Sequence, residues 1–182
     1  MSGTYVNVTV ASTDLEAIRR ALQQVGRSAF VSGPLRGGVV VFDPQSAQFD
    51  FGPLAAALST ECGSPALAAV NMNGEILQLE LWQGGTQVAT YISNANAMND
   101  ADPEVEPEGD PVPFLAAFNP TGDLQALTAA LRRDDDVFLE DLHEEIVGIL
   151  GLPEIAAGVS WRHVQEDAEL RAALRMTAIT AA

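Results

Sequence analysis

The chain has 182 residues, with 25 Asp and Glu against nine Arg and no Lys, and a formal net charge of −16. That length fits one domain, or one with an appended subdomain, and buries enough surface to fold without disulfide or metal staples. The charge speaks against nucleic acid and anionic membranes as partners, and the absence of Lys removes phosphate-loop and Schiff-base chemistry.

Residues 4–10 alternate, with Val6, Val8 and Val10 on one side and Tyr5, Asn7 and Thr9 on the other. This predicts a half-buried strand. A helix follows, with Thr13 and Glu16 at capping-box spacing, a stripe of Leu15, Ile18, Leu22 and Val25, and Gly26 as its stop. Two short β-type runs, 29–32 and 39–42, flank a Gly- and Pro-rich hairpin loop. Residues 53–61 read as a second helix, stopped at Cys62-Gly63. Asn73-Gly74 and Gly84-Gly85 are two-residue hairpin turns that cut 66–92 into a three-stranded meander. Counting from those turns sets Leu81 against Val88, Leu79 against Thr90 and Leu77 against Ile92, with Val70 and Ala68 on the same apolar face. Gln78, Glu80, Trp82, Ala89 and Tyr91 fall on the other face.

The order is β-α-β-β-α-β followed by two strands. The expected class is α+β: a ferredoxin-like split βαβ sheet extended by a meander, with both helices on the Val/Leu face. Residues 1–93 make up this sheet unit. Residues 94–112 form an acidic, Pro-rich connector, and 113–182 a mainly helical region packed on or beside the sheet in the same compact unit. In that region Thr121 caps a helix with Leu124, Leu127 and Leu131 inward. Asp134 to Asp136 precede another, with Phe138, Leu142, Ile146 and Ile149 inward and a stop at Gly151 and Pro153. Residues 158–164 read as a strand and 166–175 as a last helix. Residues 1–99 carry seven acids and four Arg, whereas 111–182 carry twelve acids and five Arg. The acidity therefore lies outside the sheet.

Two candidate binding surfaces follow. One is a polar and aromatic sheet face built from Tyr5, Asn7, Thr9, Gln78, Glu80, Trp82 and Tyr91, either open as a platform or covered by the C-terminal helices. The other is an acidic helix face of Glu140, Asp141, Glu144 and Glu145, whose like charges repel at i,i+4. Glu140-x-x-His143 has the spacing of a carboxylate di-iron motif but occurs once, and His163 is the only other histidine, so no metal or cofactor is assigned. Cys62 is the only cysteine. It rules out an intrachain disulfide, and at a helix C-terminus it is not activated. The N-terminus lacks a leader pattern, and no apolar run nears the roughly 18 residues of a membrane span, so a cytoplasmic location is expected.

Several segments together resemble a family of uncharacterised bacterial proteins with no assigned activity. They are Ser64 to Val70, Glu80-Leu81-Trp82 with Gly84-Gly85, Val137-Phe138, His143-Glu144-Glu145 and Gly151-Leu152-Pro153. The resemblance spans about residues 4–165 and implies a compact, non-secreted bacterial α+β protein without transferable site residues.

The function expected from the residues is that of a non-enzymatic, acidic, protein-binding protein of the inhibitor, immunity or adaptor kind. Its partner would be a basic protein, and monomer and homodimer both stay open. The alternatives are a metal-dependent hydrolase using Glu140, His143 and His163, or a small-ligand sensor.

Overall fold

The computed structural model describes residues 3–93, 109–133 and 138–181. The first strand, β1 (Tyr5–Val10), is buried along its whole length rather than on one side. It lies in the middle of a seven-stranded sheet with helices on both faces, so its Val side and its polar side are both covered. The architecture is mixed α+β.

After β1 come α1 (Leu15–Gln24), β2 (Ala29–Val31), β3 (Val39–Phe42), α2 (Gly52–Glu61), β4 (Ala66–Met72), β5 (Ile76–Gln83) and β6 (Thr86–Ile92). The C-terminal part adds α3 (Pro111–Phe118), α4 (Leu124–Leu131), α5 (Leu139–Leu150), α6 (Trp161–Glu166), α7 (Ala168–Ala173) and β7 (Thr177–Ile179). The strand order is β6-β5-β4-β1-β3-β2-β7, and every neighbouring pair is antiparallel. The last strand thus returns to the far edge beside β2, which ties the C-terminal helices to the sheet at their end. Among the described residues no helix is long and apolar enough to cross a membrane.

Helices α1 and α2 cover one face. Ile18 and Leu22 of α1 and Leu54 and Leu58 of α2 pack on Val6, Val8, Val10, Val39 and Val41. Each such fully buried side chain contributes roughly 1.5–3 kcal/mol. The other face carries Leu77, Leu79 and Leu81 of β5, with Leu67 and Phe42, under Phe114, Leu127, Leu131, Leu142 and Ile146 of the C-terminal helices. The expectation that α1 and α2 cover a combined Val/Leu face is therefore corrected: the Val and Leu sets lie on opposite faces.

The cause is register. The first meander turn holds three residues, because Met72 pairs with Ile76 and Glu75 is drawn into the loop behind Asn73 (φ 54°) and Gly74 (φ 73°). The second turn has two residues, but Trp82 pairs with Gln87 while Leu81 pairs with Ala89, so Val88 bulges out unopposed. Leu79 accordingly faces Tyr91, and Leu77 exchanges hydrogen bonds with Ser93. A slip of one residue moves a whole side-chain set to the other face. Val70 and Ala68 leave the Leu face, and Leu67, Ala69 and Asn71 replace them.

Capping explains other shifts. Asp14 rather than Thr13 accepts the first amides of α1, and Asp123 rather than Thr121 caps α4. Helix α3, which the sequence reading omitted, starts at Pro111 behind Asp110. The expected strand over 158–164 is instead the start of α6. There Ser160 Oγ accepts the His163 N–H and His163 Nδ1 accepts the Ser160 N–H, a capping box with His in the usual Glu position. In α5, Leu142 and Ile146 face inward, but Phe138 is 73% exposed at the helix start.

Candidate functional site

The polar side of β1 meets α5. Tyr5, Asn7, Asn71 and His143 are all buried there. The Tyr5 hydroxyl lies 2.8 Å from His143 Nδ1, and the two rings stack nearly parallel with centroids 5.8 Å apart. Burial alone lowers the His143 imidazole to about 3, so it is neutral. Burial also pushes the Tyr5 phenol up to about 12. The Asn71 side chain and the Gly158 amide beside the phenol act against this, and the charges of Glu140 and Glu144 act with it. One proton lies between the Tyr5 hydroxyl and Nδ1, and which group donates it is set by the imidazole tautomer. His143 Nε2 and the neighbouring Asn71 Nδ2 are buried atoms without a hydrogen-bond partner. Asn7 Nδ2 donates to the carbonyls of Ala156 (2.8 Å) and Val159 (3.3 Å), which fastens the chain after α5 to the middle of the sheet.

The expected polar and aromatic platform is divided between the two faces. Tyr5, Asn7, Thr9 and Tyr91 lie under the C-terminal helices, whereas Gln78, Glu80 and Trp82 lie on the α1–α2 face. Tyr91 is fully buried, and burial pushes its phenol up to about 12. On the other face Glu80 Oε1 accepts from Gln78 Nε2 (2.7 Å) and Oε2 from Trp82 Nε1 (3.2 Å), while the Trp82 ring rests over Gly52 at the start of α2. These three side chains are half-buried.

The acidic residues of α5 lie outward. Asp141, Glu144 and Glu145 are exposed and Glu140 is half-buried. Glu145 is held by Arg133 at 2.7 Å. Glu140, Asp141 and Glu144 form no ion pair among the described residues, and Phe138 stands exposed just before them. Glu140 and Asp141 sit in the first turn, where the helix dipole favours acids. Asp134 to Asp136, like most of the acidic connector, lie outside the described residues.

Among the described residues no group of three or more His, Cys, Asp and Glu is placed to hold a metal ion. His143 Nδ1 is engaged by Tyr5 and His163 Nδ1 by the Ser160 amide. Burial pushes the half-buried Cys62 thiol up to about 11, the opposite of an activated nucleophile. A cleft of about 430 Å³ opens between Thr4, Tyr5, Ala47, Trp161, Arg162 and His163, and another of about 340 Å³ between Arg36 and the end of α5 at Gly151–Ile155. The sequence reading missed the Tyr5–His143 pair. Its signal was the inward position of His143, four residues before Val147 in the buried stripe of α5. No family model, curated protein or solved structure matches the chain.

Proposed function

We propose that the protein is a non-catalytic binding protein that recognises a basic protein partner through the outer face of α5, as an inhibitor, immunity or adaptor protein does. The observation that carries this reading is the set Glu140, Asp141 and Glu144, outward on one helix without a cation against them among the described residues, beside an exposed Phe138. An uncompensated acidic patch speeds encounter with a cationic surface, and an exposed aromatic ring supplies the desolvated anchor that acids cannot. The scaffold beneath reads as a ferredoxin-like split βαβ core. Support comes from the antiparallel order β4-β1-β3-β2 with α1 and α2 on one face, extended by β5 and β6 at one edge and β7 at the other. The expected compartment is the cytoplasm.

The test is capture of the partner from native lysate at low salt by wild type and by a Glu140→Arg/Asp141→Arg/Glu144→Arg variant. Glu145 is kept because it holds Arg133. The captured partner should dissociate at high salt, be absent from the triple variant, and associate at least tenfold more slowly with a variant carrying one reversal. A partner retained by the triple variant would overturn the reading. Phe138→Ala should instead raise the dissociation rate with little change in salt dependence.

A further inference from the structure

Both helical layers bury polar groups as well as apolar ones, but of different kinds. Under α1 and α2 the apolar cluster is joined by the half-buried Gln78, Glu80 and Trp82, which bond one another, and by the Arg27–Asp43 ion pair at the entry to α2; neither includes a histidine. Under α5 the buried set includes Tyr5, Asn7, Asn71 and the histidine His143, and this set is incompletely satisfied: Asn7 Oδ1, Asn71 Nδ2 and His143 Nε2 have no partner. A half-satisfied buried network is the weaker kind of seat.

His143 is the hinge point of that seat. Among the described residues its only hydrogen bond is to Tyr5, and no carboxylate lies within ion-pair distance. From β1 it meets the neutral Tyr5, and Asn71 of β4 and the Gly158 amide stand at the same phenol. On α5 itself Glu140 and Glu144 flank it, acting on Tyr5 from the outward side. None of α3, α4 or β5, which pack on α5 or its neighbours, brings a charged group into hydrogen-bond reach of the ring. A cation formed here donates from both ring nitrogens, and Nε2–H has no acceptor waiting for it.

We infer that His143 is an acid-sensitive latch: its protonation releases α5 from the sheet and uncovers Tyr5 and Asn7, while the α1–α2 layer stays closed. This rests on the fold alone and not on the identity of any partner. The sign follows from linkage. The closed imidazole is neutral down to about 3, whereas a released one returns towards 6.5. The preference for the closed form is therefore complete above pH 6.5 and is lost progressively as pH falls towards 3. Between pH 7 and pH 5 the opening constant rises about 25-fold.

Native-state amide exchange at pH 7 and pH 5, corrected for intrinsic rates, tests this. Protection of 139–150 should fall about 25-fold, and that of 15–24 should change several-fold less. In a Tyr5→Phe/His143→Leu variant, which removes both polar partners together, the excess fall in 139–150 should vanish. Equal falls in both helices of the wild type, or a fall in 139–150 that persists in the variant, would overturn the proposal. A second reading needs no variant. In the NMR spectrum of the folded wild type the His143 ring should stay neutral to pH 5, and a His143 ring titrating near 6.5 would equally overturn it.

Discussion

Arg27→Met should destabilise the protein by about 3–5 kcal/mol, because it leaves Asp43 as a buried carboxylate without a cation. The Asp43 side chain is wholly buried and that of Arg27 nearly so, with Nη1 at 3.4 Å from Oδ2. Arg27 also grips Asp50 twice, through its backbone carbonyl and, at 2.7 Å, its carboxylate. Asp43 Oδ2 in turn accepts the amides of Gln45 and Ser46 at 3.1 Å each, which fixes the turn between β3 and α2. The pair thus joins the start of β2 to the entry of α2. Replacing both members, as Arg27→Met/Asp43→Asn, removes the uncompensated charge and should recover part of the loss. Asp50→Asn should cost about 1 kcal/mol or less, since its side chain is 61% exposed and screened by water. Urea unfolding of wild type, Arg27→Met, Asp43→Asn and the double variant closes the cycle and gives the coupling directly. A cost below about 1 kcal/mol for Arg27→Met would show that water reaches Asp43 and that the pair is not load-carrying in this fold.

The first six strands and the first two helices are legible in the sequence because their signals are local, whereas β7 at Thr177–Ile179 was not read. Val6, Val8 and Val10 alternate, Ile18 and Leu22 share a helical stripe, and Gly63 follows the Ala-rich run of α2. What failed was the step from turns to register. Glu75 joins a loop that Asn73-Gly74 alone does not size, and the bulge at Val88 shifts the β5–β6 register between Leu81 and Trp82 with no Gly or Pro at Val88 to mark it. Those two slips misassigned the faces of Gln78, Glu80, Trp82 and Tyr91 together. His143 was missed as a buried partner for a related reason. Glu140, Glu144 and Glu145 around it look like the polar face of a helix, and only the pairing of Tyr5 with Asn71 across β1 and β4 shows that a phenol waits beneath it. Tertiary contacts of this kind are not encoded in spacing. The outward acids of α5 were legible because a charged helix face needs no partner element to define it.

This division bears on how the molecule can be altered. The α5 layer is held by the apolar cluster of Leu142, Ile146, Val147 and Leu150 and also by a polar network, by the Asn7 tie to Ala156 and Val159, and by the hairpin loop between β2 and β3. A Cβ on Gly37 would collide with the Gly151 carbonyl, so this loop sits directly against the end of α5. Substitutions in that loop should therefore disturb the same layer as changes at His143, although they lie on the N-terminal half of the chain.

The second large effect is expected at the neighbouring glycine. Gly38→Ala should cost about 3–5 kcal/mol, combining two mechanisms that each destabilise alone. Gly38 has φ 134°, a conformation that a side chain rarely adopts. Its Cβ would also strike the carbonyl of Val10, a residue paired with Val39 in the centre of the sheet. The clash cannot be relieved by turning a side chain, because the struck atom is backbone at the end of β1. Relief requires β3 to move off β1, which opens the Val8–Val41 and Val10–Val39 pairs and the core that α1 closes. Gly63→Ala is the control. Gly63 also has a positive φ, 57°, but nothing lies near its Cβ position, so only the left-handed strain of about 1–2 kcal/mol applies. The difference between the two variants in urea unfolding isolates the close approach of loop to strand. With a total stability of about 5–15 kcal/mol for a domain, Gly38→Ala should leave a visible unfolded fraction on warming where Gly63→Ala does not. Equal costs for the two substitutions would mean that the β1–β3 pairing tolerates a shift at this point, and that the sheet is held instead by the β1–β4 ladder alone.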